Sequence, residues 1–573
     1  ISFFYVFLHS TLTTMPENSP KRWNIWTPIL VFFLLSLGIL IGYFIKNLEV
    51  ESQSPNPTFV TPTVVQRYDR IEEIISIIGD GYFMPISQDS LFNLAINSIF
   101  GSLDPHSTYI PLSEKTTFQN SLDGNFKGVG VEFAFVNDTV VFTHIIPNSP
   151  AEEAQLQAGD LLIKVDNEIV SGIGMDSDQL IDFIVGEGGT SLSLDILRLP
   201  NRIPQTIQAK RGNVPLTSID AYYLLDNNVG YIKINRFSAT TYREFTSALK
   251  ELQSTGMESL IIDLRQNPGG YLEAAVAIAD ELLSDKKVIV STENRIYGNE
   301  DYFSEMEGLY EEGPLAVLID EGSASASEIL AGAIQDWDRG WIIGRRSFGK
   351  GLVQEVFDLN DGSSIKLTTS RYLTPTGRDI QRPYLKNKKS EASFSSEFPI
   401  YKDEVHHSII TNNIILEDTT LFLTKTLKRQ IYGGGGIKPD ILVPFENREE
   451  YLGELYNILI SNTIRTAAYK YYIYHSSDIK KYKGLEDFTT NFKLPDFVLD
   501  QLLADFNKEN PQNTITKWPN TKAKEFIRGR ISNLIARMEY GPKGYFYYQH
   551  QKDKGLQKAI QQLKTKPHLQ PIN

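Results

Sequence analysis

Cysteine is absent from this chain of 573 residues, so disulfides, a thiol nucleophile and thiolate metal sites are excluded. Two hydrolase signatures are missing as well: no HExxH zinc motif and no GxSxG elbow occurs. An excess of basic charge is also lacking, with 56 Lys and Arg against 70 Asp and Glu. A formal net charge of −14 speaks against nucleic acid as a partner, because phosphate backbones are met by clustered Lys and Arg. What remains, 41% apolar and 22% charged residues, is the composition of an ordinary globular protein. The length exceeds what one hydrophobic core organises, so several folded units are expected.

One long apolar run speaks to location. Residues 26–45 (WTPILVFFLLSLGILIGYFI) carry no charge. At about 1.5 Å per helical residue such a run spans a hydrocarbon layer of roughly 30 Å. Lys21 and Arg22 precede it, and Lys46, Glu49 and Glu51 follow. The positive-inside rule then places residues 1–25 in the cytoplasm and everything after about residue 46 on the extracytoplasmic, periplasmic side. A cleaved signal peptide is the competing reading. The run exceeds the roughly 7–15 residues of a signal core and no small-x-small cleavage site follows closely, which favours a single-pass anchor. Residues 1–14 precede Met15, are read as an artefact of upstream translation and are assigned no function. Residues 46–62, rich in Ser, Pro, Asn and Thr, read as a linker.

Helical periodicity opens a region expected over 63–123, with one helix through Ile71, Ile74, Ile75 and Ile78 and a second over 90–100. The turn-forming cluster Leu103-Asp104-Pro105-His106-Ser107-Thr108-Tyr109 follows; His106, held in a Pro turn, is expected to play a structural hydrogen-bonding role. From Gly124 the texture becomes strand-rich. Gly128-Val129-Gly130-Val131 is followed by strand-like Thr139 to Phe142, by Pro147-Asn148-Ser149-Pro150-Ala151, and by Ala158-Gly159-Asp160 before another apolar run. This order of motifs resembles a PDZ domain over 124–200. The resemblance implies that Gly128, Val129, Gly130 and Val131 form the loop that offers backbone N–H groups to a peptide's terminal carboxylate, while the peptide adds as a strand to the sheet edge. Alone, the same residues favour a β-turn whose glycines serve only the backbone conformation.

A further unit is expected over 201–445. Strands at 230–234, 260–264 and 315–319 alternate with helices at 242–252, 271–283 and 327–337, the pattern of an α/β core with buried parallel strands. The strand at 315–319 runs into Gly322-Ser323-Ala324-Ser325-Ala326-Ser327-Glu328. A serine at a strand-to-helix turn exposes its hydroxyl among small neighbours, and the helix N-terminus favours an oxyanion. Ala326 N–H is thus one candidate oxyanion donor, and Gly269 or Gly270 of the Asn267-Pro268-Gly269-Gly270 loop a second. Alone, the three serines read as helix caps.

Phe348-Gly349-Lys350-Gly351-Leu352-Val353-Gln354 changes that balance. A free lysine, with pKa about 10.4, is neutral in about one molecule in 2,500 at pH 7. Burial lowers it into the range of a usable base for serine. Phe348, Leu352 and Val353 supply apolar surroundings, and Gln354 is placed to orient the amine.

Together with the PDZ segment, Asp263-Leu264-Arg265-Gln266-Asn267-Pro268-Gly269-Gly270 and Gly436-Ile437-Lys438-Pro439-Asp440, these motifs resemble the carboxyl-terminal processing peptidases, or tail-specific proteases, over residues 62–445. The resemblance implies a multidomain α/β protein: a Clp protease/crotonase-like core, an inserted β-rich PDZ domain, N-terminal helices and a helical C-terminal domain. It implies Ser325 as nucleophile, Lys350 as general base and Gln354 as its orienting partner, with Ser323 and Ser327 as fallback nucleophiles and Asp263 and Arg265 shaping the loop. No metal and no cofactor are implied. The expected partners are protein or peptide substrates with free C-termini and, through the anchor, a membrane; homo-oligomerisation stays open. A PDZ scaffold on an inactive peptidase fold would lack Ser325 or Lys350, and a hydrophobic-ligand carrier would replace the trio by apolar residues. Neither change is seen. Residues 446–573, rich in Tyr, Lys and Asn, are expected to form a helical domain with helices near 448–464, 497–506 and 521–538. It would pack on the core or mediate assembly, with Tyr469, Tyr471, Tyr472, Tyr474 and the cluster Tyr545-Phe546-Tyr547-Tyr548 mainly in packing roles.

Overall fold

The computed structural model describes residues 65–199, 201–284, 286–382, 420–445 and 452–570. The expected anchor at 26–45, the linker at 46–62 and the polar, basic stretch at 385–395 lie outside the described residues. The chain divides into two compact units, Ile1–Asn93 and Leu94–Asn573. The first holds α1 (Val65–Gly81), and the division falls within α2 (Gln88–Phe100).

The second unit opens with β1 (Thr108–Ile110), α3 (Leu112–Asp123) and β2 (Asn125–Gly128). A β-rich domain follows: β3 (Val131–Val136), β4 (Thr139–Ile145), α4 (Pro150–Glu153), β5 (Leu161–Val165), β6 (Glu168–Ile169), α5 (Ser177–Ile184), β7 (Ser191–Arg198) and β8 (Ile203–Lys210). Its sheet runs β3-β4-β5-β7-β8, with β6 on β5. β8 lies past the expected boundary at 200, yet it pairs with β7 from Ser191↔Lys210 to Arg198↔Ile203. The chain leaves through β9 (Gly212–Pro215), which pairs antiparallel with β2, so the domain hangs from a two-stranded stem.

The α/β core then builds from β10 (Ile219–Leu225), β11 (Val229–Ile234), α6 (Thr241–Ser254), β12 (Ser259–Asp263), α7 (Leu272–Asp280), β13 (Val288–Asn294), β14 (Gly298–Phe303), β15 (Leu315–Ile319), α8 (Ala326–Asp336) and β16 (Trp341–Gly344). After these come β17 (Leu352–Asp358), β18 (Ser364–Leu373), β19 (Leu421–Leu423), β20 (Gln430–Tyr432) and β21 (Ile441–Leu442). The central sheet is ordered β10-β11-β12-β15-β16-β21 and is parallel apart from β10. A second, antiparallel sheet joins β1, β18, β13 and β14, with β17 on β18.

Alternation along the central strands assigns each side chain to one of two apolar layers. Ile232, Ile262, Leu315, Val317 and Ile319 pack with α6, α7 and α8. Tyr231, Ile261, Ala316, Leu318 and Ile343 face the other way. That second face is covered from far along the chain, by Leu556, Ala559 and Leu563 of the last helix and by Phe546 and Tyr547 before it.

The C-terminal helices are α9 (Tyr456–Ile460), α10 (Thr463–Ile479), α11 (Leu485–Asn491), α12 (Asp496–Glu509), α13 (Thr521–His550) and α14 (Lys554–Thr565). The helix expected through 464 is interrupted: Ser461 is extended at ψ 161° after α9, and a new helix starts at Thr463. The helix expected over 521–538 breaks close to its expected end: Gly541 takes φ 66° and ψ −158° ahead of Pro542, and a second helical stretch runs on across this kink to His550. Tyr469 and Tyr472 are buried as expected, whereas Tyr474 is exposed. This helical domain packs on the core, and on the outer face of the β-rich domain it also buries Val136 and Val141 and packs against half-buried Ala134 and Leu161. Arg537 of α13 adds an ion pair to Glu132 of β3 at 2.8 Å.

Candidate active site

α8 is buried along its whole length, from Ala326 to Asp336. Small residues permit this: Ala326, Ala331, Gly332 and Ala333 let the helix approach its neighbours closely. Its N-terminus follows β15 through the serine cluster, and the three serines fare differently. Ser323 is buried and its hydroxyl donates to the Leu264 carbonyl at 2.9 Å while accepting from Asp320 N–H at 2.9 Å. Ser327 is buried and donates to the Asn267 carbonyl at 3.0 Å. Ser325 alone of the three is half-buried rather than enclosed, and its backbone sits at φ 53°, ψ −115°, a region that non-glycine residues rarely adopt.

One carboxylate joins this turn to the lysine loop. Glu328 is fully buried; its Oε2 accepts the N–H of Ser325 at 3.0 Å and the N–H of Lys350 at 2.8 Å. Its Oε1 accepts the N–H of Gly349 at 2.7 Å and the Ser347 hydroxyl at 2.5 Å. The Tyr372 hydroxyl adds a second link, lying 2.7 Å from the Lys350 carbonyl and 3.2 Å from the Ser325 carbonyl. Burial pushes the Glu328 carboxyl up to about 7, against the hydrogen bonds from Ser347 and the loop N–H groups that lower it. Sequence reasoning gave Glu328 no role, although its place three residues after Ser325 is the capping-box spacing.

Lys350 is half-buried, and burial is the first cause that brings its amine down to about 8. The ammonium of Lys366 on β18 acts in the same direction; Glu328 and Asp104 oppose it. Lys366 is a second residue that local motif reading missed, because it reaches the site only through strand pairing. Gln354 does not hydrogen-bond Lys350. Its amide donates to Thr368 Oγ1 at 3.3 Å, its cross-strand partner, and a register shift between Val353 and Gln354 re-aims the side chain. Thr368 in turn donates to Asp104 at 3.2 Å, so the Asp104-Pro105-His106 turn borders the site. The structural role expected of His106 falls on Asp104, which accepts the N–H groups of His106 and Ser107 and the Ser107 hydroxyl at 2.6 to 2.9 Å. Burial and then the charge of Lys350 push the His106 imidazole down to about 4.

A Cβ on Gly269 would stand 2.8 Å from Ser325 Cβ, and one on Gly270 would stand 1.9 Å from the Phe237 carbonyl oxygen. Both take positive φ, 97° and 143°, so only glycine brings this loop against the serine turn. The Gly269 N–H is already donated to Asn267 Oδ1 at 2.9 Å. Among the described residues nothing takes up the Gly270 or the Ala326 N–H. Of the two glycines expected as oxyanion donors, Gly270 therefore remains.

A family model described as peptidase family S41 matches residues 228–387, one described as a PDZ domain matches 141–198, and one for a family of unknown function matches 451–541. A carboxy-terminal-processing protease of Bartonella bacilliformis is 32% identical over 356 residues, covering 61% of this chain and 80% of that protein. The chain belongs to the carboxy-terminal processing proteases. The protease CtpB of Bacillus subtilis is 34% identical over 319 residues, 55% of this chain and 65% of that one. The solved photosystem II D1 C-terminal processing protease aligns at 29% identity over 55% of this chain and 84% of that one, with a TM-score of 0.32. This protease is accordingly a serine peptidase of family S41 that carries a PDZ domain.

In that PDZ domain, Gly128 closes β2 and Val131 opens β3. Val129 is buried; its carbonyl accepts Ala151 N–H at 2.8 Å, and the Gly130 carbonyl accepts Ile146 N–H at 3.0 Å. β3 pairs with β4 and forms one edge of the sheet. No group of His, Cys, Asp or Glu able to hold a metal ion occurs among the described residues.

Proposed function

We propose that this protease cuts polypeptides near their C-termini with Ser325 as nucleophile and Lys350 as general base. The observation that carries the reading is the single Glu328 oxygen that accepts both the Ser325 and the Lys350 N–H, beside an amine brought down to about 8. Neutral Lys350 takes the Ser325 proton as Oγ attacks the peptide carbonyl. The carbonyl oxygen gains the electron pair and is met by the N–H groups of Gly270 and Ala326. Collapse expels the amine, which takes the proton from Lys350, and water then releases the acyl-enzyme in the reverse order of steps. Gln354 serves through Thr368 and Asp104, bracing the rim of the site.

The tail is captured by the PDZ domain. The carbonyls of Val129 and Gly130 turn inward, their N–H groups find no partner among the described residues, and β3 offers an edge for strand addition. A single N-terminal span at 26–45 holds the protease in the membrane with its catalytic part on the extracytoplasmic side, supported by the length of the uncharged run and by Lys21 and Arg22. Among the described residues no helix is long and apolar enough to cross a membrane.

The test uses the full chain in detergent and an unstructured polypeptide with a free, apolar C-terminus, with cuts located by mass spectrometry. Ser325→Ala and Lys350→Ala should each lower cleavage by at least about a thousandfold. Amidating the substrate's terminal carboxylate should raise KM. Equal cleavage by all three proteins would eliminate the Ser325–Lys350 pair, and indifference to amidation would remove the PDZ loop as carboxylate receptor. Carbonate-washed membranes should retain the parent and release a chain lacking residues 26–45.

A further inference from the structure

The loop that carries Gly270 is pinned at three successive residues. Gln266 donates its N–H to Asp320 Oδ1 and its amide to Asp320 Oδ2, both at 2.8 Å. The Asn267 carbonyl accepts Ala324 N–H and the Ser327 hydroxyl, both at 3.0 Å. These two anchors belong to the core. The third, Arg265, is different. Its guanidinium is shared between Asp263 at the end of β12 and Asp553, which precedes α14 near the end of the chain.

The Asp553 contact is a two-point fork: Oδ1 lies 3.0 Å from Nη1 and Oδ2 lies 2.7 Å from Nη2. Planar pairing of this kind fixes orientation as well as distance. Both carboxylates are buried, Asp263 at 1% and Asp553 at 6% side-chain exposure. Lys233 of β11 completes the cluster: it stands 3.6 Å from Asp263 and donates to the Arg265 carbonyl, while Phe546 of α13 lies across its amine. Two cations thus face two carboxylates, and the balance exists only when Asp553 is in place. Without it, Arg265 Nη1 loses its acceptor and a net positive charge stays behind the loop.

We propose that Asp553 is a positioning residue for the oxyanion loop, acting through Arg265, so that the C-terminal helical domain sets the placement of the Gly270 N–H. This inference rests on the reading of Gly270 as an oxyanion donor. It gives the C-terminal domain a part in the reaction: α14 both covers the second face of the sheet and clamps one of the donors that meet the transition state. Asp553 also accepts the Leu556 N–H at 3.0 Å as the N-cap of α14. Asparagine caps a helix equally well, so Asp553→Asn removes the charge and keeps the cap.

The full chain is compared with Asp553→Asn, Asp553→Glu, Arg265→Lys and Leu502→Ala, the last a fully buried position of α12 in a different apolar cluster. The substrate is a peptide with a free apolar C-terminus, and a peptide aldehyde reports on the oxyanion site. Asp553→Asn and Arg265→Lys should lower kcat about ten- to a hundredfold with KM within about twofold, and weaken the aldehyde by the same factor. Asp553→Glu should recover most of kcat. Leu502→Ala should lower Tm and leave kcat at the parent value. Parent kcat in both Asp553→Asn and Arg265→Lys would overturn the inference. So would a loss in these two that Leu502→Ala reproduces at equal Tm. Ser325→Ala separates the two levels: its retention of activity sinks the underlying reading, whereas its inactivity beside a fully active Asp553→Asn sinks this inference alone.

Discussion

Two buried carboxylates hold the site from opposite faces of the central sheet, and they are held in opposite ways. Glu328 of α8 gathers three backbone N–H groups and one hydroxyl, all neutral donors, and burial leaves its carboxyl pushed up to about 7. Asp553, before α14, faces the Arg265 guanidinium, and its carboxyl is held below the usual range although burial opposes this. Their linkage to stability has opposite signs. Between about 4.3 and about 7 native Glu328 keeps a proton that the unfolded chain has lost, so its contribution falls as pH rises through that window. Asp553 contributes above its unfolded value of about 3.9, and that contribution is lost as pH falls. Neutral dipoles place a loop without committing the carboxylate to charge; an ion pair commits it.

The largest effect expected from breaking this comparison is at Glu328. Glu328→Gln keeps the shape but offers one acceptor oxygen and an NH2 group to four donors. At least two buried donors are then unpaired, at a cost of about 3 kcal/mol, and the serine and lysine loops drift apart. Displacement of reacting groups by about 1 Å costs on the order of a hundredfold, so kcat should fall by about that factor with KM little changed. Urea melts and steady-state kinetics check the two halves separately. Unchanged kcat would mean that Glu328 is only a cap.

The apolar layers behind the two carboxylates give the next test. Leu330 on α8 and Leu556 on α14 are both essentially inaccessible, at 0% and 1%. Truncation to alanine should cost about 2–5 kcal/mol at each. If α14 were a loosely docked appendage, Leu556→Ala would cost far less than Leu330→Ala; comparable losses of Tm would establish that the second face of the sheet belongs to the same cooperative core.

A smaller effect is expected at Lys366. In the proposed mechanism Lys350 acts as the neutral amine, so kcat/KM should rise with pH through a limb near 8. Lys366→Met removes a neighbouring cation, which favours the protonated amine and moves the limb to higher pH. No displacement would place Lys366 too far from the amine to matter.

Legibility in the sequence followed locality. Leu315 to Ile319, an unbroken apolar run ahead of a cluster of small residues, announced a strand buried on both faces and the turn after it. The Ser325 and Lys350 motifs were equally plain, because each is a few adjacent residues. What the pattern did not reveal was pairing across long separations: Thr368 with Gln354, Lys366 beside Lys350, Tyr372 across both loops, Asp553 on Arg265. β8 escaped the expected boundary because its strand alternates mostly exposed positions, with only Ala209 buried. α14 was missed despite a usable signal: Leu556, Ala559, Ile560 and Leu563 stand at i, i+3, i+4 and i+7, but polar residues between them masked the stripe.

The smallest expected effect concerns the backbone of Ser325. At φ 53° and ψ −115° the residue holds a conformation that costs a non-glycine side chain on the order of 1 kcal/mol or more, and the Glu328 and Tyr372 links hold it there. Ser325→Ala removes the hydroxyl and keeps the strain. Ser325→Gly removes both, at the expense of a more flexible unfolded chain. If the strain is real, the glycine variant should be the more stable of the two by about 1 kcal/mol, a difference that denaturant titration resolves. Equal stability would mean that the turn is relaxed, and that Ser325 is exposed by its place at the helix mouth rather than by backbone tension.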